Sequence, residues 1–195
     1  SMLRTPSNAI DTLVGVIERI TFQSEDTGYT IAKLKPELRS CKTSENLARI
    51  AGREGVIHII GTMATLVAGE RMELQGYWVT HDKYGKQFKV TDYKSLQPNS
   101  VEGIQKYLGS GLIKGIGPSR AKMIVDHFGV KTLDIIDAKP ERLLEVKGVA
   151  RKTTDIIQKG WHAQKHIQEV MQILLANHVS ITSAVKIYKI YGVDA

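Results

Sequence analysis

The sequence predicts an α+β protein of two domains: a small β-barrel over residues 1–97, then an all-helical domain over residues 98–195. Two observations carry this reading. The first half alternates apolar and polar residues and is rich in β-branched types, giving five short strand patterns. After Gln97-Pro98-Asn99-Ser100 the apolar spacing changes to the period of a helix. A chain of 195 residues has the length of one large domain or two small ones. It can bury about 70% of its unfolded surface, so it needs no covalent staples.

The strands are expected at Thr12–Phe22, Gly28–Leu34, Val56–Gly61, Arg71–Thr80 and Gln87–Tyr93. Asp82-Lys83-Tyr84-Gly85 reads as a hairpin connection with Gly85 supplying the positive φ. Gly15, Gly61 and Gly76 fall inside or at the ends of strand patterns, where they favour the bends and bulges that close a barrel. The polar stretch 36–55 breaks the alternation, with Arg39, Lys42, Arg49 and Arg53 interleaved with acids. It reads as a long surface loop holding a short helix at most. Five strands with such an insertion fit an OB-like barrel, a scaffold used both for single-stranded nucleic acid and for protein contacts. Tyr29, Tyr77, Trp78, Tyr84 and Phe88 are the aromatic residues available for base stacking, Tyr84 foremost, although aromatic residues on strands commonly fill cores.

In the second half, Ser100 is a good N-cap for a helix over Val101–Leu108, even with Gly103 in its first turn. Further helices are expected at Pro118–Phe128, Thr132–Ala138, Pro140–Glu145, Ala150–Trp161, His166–Asn177 and Ser180–Tyr191.

Charge is unevenly placed. The formal net charge is +7, with 42% hydrophobic and 24% charged residues, a composition ordinary for a globular protein. Residues 1–98 hold 13 basic and 11 acidic groups, for +2, and residues 99–195 hold 14 and 9, for +5. The surplus points to a polyanion, nucleic acid first. The single Cys41 excludes an internal disulfide framework and suits a reducing, cytoplasmic compartment. No run approaches the length of a membrane span, and the start SMLRTPSNAID lacks the basic-then-apolar pattern of a signal peptide.

The sharpest local feature is the run Leu112-Ile113-Lys114-Gly115-Ile116-Gly117-Pro118-Ser119-Arg120-Ala121-Lys122. It reads as a short helix, a tight turn, and a second helix opened by Pro118 at its first position. Ile116 plugs the core while the turn amides of Gly115 and Gly117 meet the positive end of a helix dipole, a site for a phosphate oxygen. Lys114, Ser119, Arg120 and Lys122 would add side-chain contacts. Replacing Lys114 or Arg120 is expected to flatten the salt dependence of DNA binding by about one unit per lost phosphate contact. This run resembles the helix-hairpin-helix motif, a sequence-independent binder of the DNA backbone. The alternative is a helix–turn–helix bend whose glycines serve packing alone.

The pattern recurs at an offset of 33 residues, with Lys147, Gly148, Val149, Arg151 and Lys152 in corresponding places. Ala150 and Thr154 stand where Gly117 and Ala121 stood, so the second copy is degenerate and its phosphate grip the weaker of the two, although its basic flank argues for backbone contact. Two such hairpins related by a pseudo-twofold would each hold one strand of a duplex. A third echo, Ser183–Gly192, lacks the glycine turn and reads as structural repetition.

No catalytic or metal-binding residue is expected. There is no G-x-x-x-x-G-K-[ST], since Gly85-Lys86 precedes Gln87, and no HExxH. His162 and His166 lie four apart without a third ligand nearby.

The phrases GVIERITFQSEDTGYTIAKLK, GERMELQGYWVTHDKYGKQFKV and VEGIQKYLGSGLIKGIGPSRAKMIVDHFG resemble the N-terminal region of bacterial RecD-like helicases, the long stand-alone form of the exonuclease V alpha-subunit family. The likeness runs from about Thr12 to Ala195, and YLGSGLIKGIG is its most diagnostic part. It implies a superfamily 1 motor moving 5′ to 3′ on single-stranded DNA, acting in DNA repair and recombination. Its ATPase core, with ATP and Mg2+, would lie C-terminal to this region. The chain itself then needs no cofactor and is not expected to be an enzyme. DNA is the implied partner, with a single-strand DNA-binding protein as a second one. Two rival readings are the branch-migration subunit of a Holliday-junction complex, which also joins an OB barrel to two hairpins, and a docking or regulatory module without strong DNA binding. The 36–55 loop and the HDKYGKQF hairpin fit the branch-migration subunit poorly.

Overall fold

In chain order the computed structural model has strands β1 (Met2–Arg4), β2 (Asp11–Gln23) and β3 (Tyr29–Pro36), helix α1 (Leu47–Ala51), then β4 (Ile57–Thr62), β5 (Arg71–His81) and β6 (Gly85–Leu96). The helices α2 (Val101–Leu108), α3 (Pro118–Phe128), α4 (Thr132–Ala138) and α5 (Arg151–Ala176) follow. It describes residues 10–63, 65–180, 183, 184, 186 and 187, and the backbone of residues 2–4.

Strands β2 to β6 close on themselves. β2 pairs antiparallel with β3 and β5, β3 with β4, and β5 with β6. β4 meets β6 in parallel at Ile59–Phe88 and Ile60–Lys89, which completes a five-stranded OB-like barrel. β1 extends the edge of β5 beyond β2, pairing Met2 with His81.

Closure depends on two glycines. A Cβ at Gly76 would lie 2.0 Å from the Lys89 carbonyl oxygen, and the β5–β6 register slips there between Gln75 and Gly76. Gly61 has φ +154° and would press a Cβ against Val90, the point where β4 turns toward β6. Inside, the alternating residues Leu13, Ile17, Leu34, Ile59, Met72, Leu74 and Phe88 form a dry core. Trp78 packs edge-on to Phe88 at 5.1 Å and donates its indole N–H to Asp11 at 2.8 Å. Trp78 and Phe88 are therefore core residues, unavailable for stacking.

The stretch 36–55 is more ordered than its polarity suggested. It holds a 3-10 turn at Leu38–Ser40 and α1, whose N-cap Asn46 accepts from the Arg49 N–H. Leu47, Ile50 and Ala51 share one helical face and pack against the barrel core. Three apolar residues at i, i+3 and i+4 turn a would-be loop into a plug.

The linker ends as expected: Ser100 Oγ accepts from the Gly103 N–H at 3.0 Å, and α2 begins there. Three helical expectations differ from the structure. Leu112–Lys114 is a turn, because Gly111 and Gly115 adopt φ of +90° and +94°, which no helix tolerates. Pro140–Glu145 is a 3-10 helix. The expected helices at Ala150–Trp161 and His166–Asn177 are one, α5, because the residues between them contain no helix breaker. The third echo and the helix expected at Ser180–Tyr191 lie largely outside the described residues.

A second apolar core joins α2, α3, α4 and the first half of α5, with Ile104, Ile113, Ile116, Ile124, Leu133, Ile136 and Ile157 buried in it. The far end of α5 leaves this core. Met171, Leu174 and Leu175 pack on the barrel, so α5 spans both bodies.

Candidate nucleic-acid interface

The first hairpin follows from its glycines. Gly109 ends α2, and a Cβ there would sit 3.3 Å from Pro118 Cα and 3.5 Å from Ala121 Cβ, so the helices approach closely. Gly115 takes φ +94°, Ile116 turns into the core, and Gly117 becomes the N-cap of α3 at φ −97°, ψ −177°. The Ile116 N–H donates to the Ile113 carbonyl at 3.1 Å. The first bond of α3 runs from the Ala121 N–H to the Gly117 carbonyl at 2.9 Å. The amides of Gly117, Ser119 and Arg120 precede it and stand at the positive end of the helix.

The second hairpin repeats this backbone. Gly148 has φ +83°, Val149 is buried, and Ala150 is the N-cap of α5 at φ −98°, ψ 175°. The Val149 N–H donates to the Val146 carbonyl at 3.1 Å, and the Thr154 N–H to the Ala150 carbonyl at 2.9 Å. The extended conformation shared by Gly117 and Ala150 is open to any residue, so the missing glycine costs the turn nothing. Arg151 occupies the place of Pro118 and contributes one more free amide.

The two turns touch through α5. A Cβ on Gly115 would lie 3.3 Å from Ile156 Cγ2 and 3.4 Å from Ile157 Cγ1, and one on Gly160 would lie 3.0 Å from Ile113 Cγ2. The helix launched by the second hairpin is thus the packing partner of the first.

Side-chain availability reverses the ranking read from the sequence. Arg120 is half-buried and donates through Nη1 to the Gly115 carbonyl at 2.7 Å. Lys122 pairs with Asp126 at 2.7 Å, one helical turn away. Lys114 and Ser119 are exposed. In the second hairpin Lys147, Arg151 and Lys152 are all exposed, and none has an ion-pair partner among the described residues. Ile116 and Val149 offer only their backbone, since their side chains are core.

Residues 11–98 match the family model for the OB-fold domain of the ATP-dependent DNA helicase YrrC. Residues 110–162 match that of the SAM-like tandem helix-hairpin-helix. An ATP-dependent RecD2 DNA helicase of Deinococcus radiodurans is 24% identical over 184 residues, covering 93% of this chain. The chain matches the N-terminal region of a RecD-like helicase. It spans 24% of the length of that curated relative.

On the barrel, Tyr84 and Phe22 are 60% and 51% exposed. Tyr84 was legible as a loop aromatic; Phe22 was missed, because its strand position reads as core. They line one cavity with His58 and His81. Where the barrel meets the helices, Glu70 is buried and accepts from the Val67 N–H (3.1 Å), Ser95 Oγ (2.7 Å) and Gln168 Nε2 (3.4 Å). Burial pushes its carboxyl up to about 7 against the lowering effect of the bonds from Ser95 and Val67. Across α4 and α5, Asp137 accepts from Trp161 Nε1 at 2.8 Å and pairs with Lys165 at 3.0 Å; these hold its carboxyl below the usual range. Among the described residues no cluster of three ligands could hold a metal ion, and no helix is long and apolar enough to cross a membrane.

Proposed function

We propose that this region is the sequence-independent DNA-binding module of an ATP-dependent helicase of the RecD type, one that moves 5′ to 3′ and works in DNA repair and recombination. The observation that carries the reading is the shared backbone of the two hairpins: a positive-φ glycine, a buried plug, and an extended N-cap opening a helix. Each places free amides beside basic side chains, the arrangement that holds a phosphate without reading a base. The two hairpins take one strand each, with Gly115, Gly117, Ser119 and Lys114 on the first. Gly148, Lys147, Arg151 and Lys152 serve the second. The ATP and Mg2+ of such a motor find no Walker-type sequence in these 195 residues, so this region grips DNA and leaves the chemistry elsewhere.

The test is a titration of blunt duplex at several salt concentrations. Binding on the order of micromolar or weaker, with log affinity falling linearly against log salt, is expected. Absence of salt-dependent binding at low ionic strength would replace this reading with a docking module, for which a single-strand DNA-binding protein is the partner to try.

A further inference from the structure

We propose that the junction between the barrel and the helices holds a guanidinium-binding site, which takes an arginine side chain from a polypeptide partner. The site is a cavity of about 190 Å³ bounded by the end of β6, the linker at Gln97 and Pro98, α2, α4 and α5. Its origin lies in the spacing of α5. Ile157, Trp161, Gln164, Gln168, Met171 and Leu175 follow one another three or four residues apart and so share one face. Ile157 is buried in the helical core, and Met171 and Leu175 pack on the barrel. Between them, where the helix crosses from one body to the other, the same face carries amides and borders the cavity. Gln164 is only 8% exposed, lines that cavity, and meets no hydrogen-bond partner for its amide among the described residues. A buried amide left unpaired costs free energy that a ligand can recover.

The other lining groups select a monovalent cation rich in donors. Asp134 and Asp137 on α4 line the cavity together with Lys165, which leaves a net of one negative charge. Trp161 Nε1 and Lys165 Nζ both bond to Oδ1 of Asp137, at 2.8 and 3.0 Å, so its Oδ2 remains open. Gln97 Nε2 reaches Asp134 Oδ1 at 3.5 Å, which leaves the Gln97 carbonyl oxygen and Asp134 Oδ2. Gln168 gives its Nε2 to Glu70 and to the Tyr107 hydroxyl, at 3.4 and 3.3 Å, and keeps Oε1 as an acceptor. Acceptors thus come from the linker, α4 and α5 around one space. A guanidinium is planar and carries five N–H donors, so it answers them from several sides at once. An ammonium is a point charge with three donors. The Trp161 and Tyr107 rings in the wall suit the flat group as well. No third histidine, cysteine or acid groups with the two aspartates among the described residues, so a metal ion fits poorly. The surplus carboxylate repels phosphate, which separates this site from the hairpins. Its volume is below the roughly 300–1,000 Å³ of a pocket for a drug-sized ligand, so it admits one side chain. Free arginine would bring its own α-carboxylate toward the exposed Asp134; an arginine within a polypeptide has a neutral backbone there.

The test follows the Trp161 indole N–H of this chain by two-dimensional NMR, with Trp161→Phe identifying its signal beside that of the core Trp78. The probes are acetyl-Gly-Arg-Gly-amide, the same peptide carrying citrulline (the uncharged isostere) or lysine in place of arginine, and free L-arginine. The arginine peptide is expected to shift the signal with a dissociation constant on the order of a millimolar. The citrulline peptide and free L-arginine bind about tenfold more weakly, and the lysine peptide about threefold. Asp134→Asn weakens the arginine peptide about threefold, and Gln164→Leu about tenfold. Asp134 is exposed, so its substitution spares the core and decides the matter even where Gln164→Leu fails to fold, which thermal unfolding reads. A Trp161 signal unmoved by the arginine peptide at about ten times that concentration overturns the proposal. So does equal binding of the citrulline or lysine peptide, equal binding of free L-arginine, or undiminished binding by Asp134→Asn. Failure of the hairpin reading appears separately, as lack of salt-dependent duplex binding by the same protein.

Discussion

The guanidinium of Arg120 and the carbonyl of Gly115 are joined across the first hairpin by a 2.7 Å hydrogen bond. The cation that sequence reading assigned to a phosphate therefore also braces the turn. Arg120→Ala is expected to lower duplex affinity while changing the salt slope by less than half a unit. Lys114→Ala, which removes an exposed and unbraced charge, should flatten the slope by about 0.9. Anisotropy titrations at four salt concentrations separate the two; equal slope changes would return Arg120 to a plain phosphate contact.

The second hairpin should carry at least as much of the duplex affinity as the first. Arg151→Ala with Lys152→Ala is expected to weaken binding more than Lys114→Ala with Lys122→Ala, because both of its side chains are exposed without ion pairs while Lys122 is held by Asp126. Ala150→Gly should change affinity less than about twofold, since Ala150 already adopts the conformation of Gly117. A large gain from that glycine would mean that the second turn is distorted.

The two glycines of the first turn are not equivalent. Gly117→Val meets open space and should cost less than about 1 kcal/mol of stability, yet it places a branched side chain where a phosphate approaches, so binding falls. Gly115→Val must hold φ +94° against Ile156 and Ile157 and should cost about 1–3 kcal/mol. Thermal unfolding together with duplex titration reads both. A Gly117→Val protein that binds normally would remove this turn from the interface.

Glu70 predicts a dependence on pH. Its folded-state pKa of about 7 lies above the ordinary value, so the native protein keeps a proton that the unfolded chain gives up. Its contribution is therefore most favourable below the ordinary Glu range, and stability declines as pH rises from about 4.3 through 7. Glu70→Gln should raise stability at pH 8 by up to roughly 3 kcal/mol and change little at pH 4. Denaturant melts at the two pH values measure this, and an equal shift at both would place the cause elsewhere than in the carboxyl proton.

Much of this was legible because it rests on local rules. The strand patterns appear at their expected places within a few residues, Ser100 caps α2, and the glycine spacing of the first hairpin marks its turn. The misses share another physical origin. Gly111 and Gly115 forbid a helix over Leu112–Lys114 by backbone conformation, whereas the apolar spacing there suggested one. α5 runs on through 162–165 because those residues hold no helix breaker, and its two ends pack on different bodies. Leu47, Ile50 and Ala51 lie too few in a polar stretch to announce a plug, and Phe22 sits in a strand whose outward face cannot be told from its pattern.

The sequence alone determined the two-part architecture, the basic second half and the type of motif, because periodicity, caps and glycine turns are properties of neighbouring residues. Tertiary structure decided which charges are available. Arg120 is spent on Gly115 and Lys122 on Asp126, while Arg151 and Lys152 remain exposed without ion pairs, and Phe22 meets Tyr84 across one cavity. The first two pairings are local, five and four residues apart. Which side chains the fold leaves exposed, and the meeting of Phe22 with Tyr84, depend on chain crossings that spacing along one strand or helix does not report.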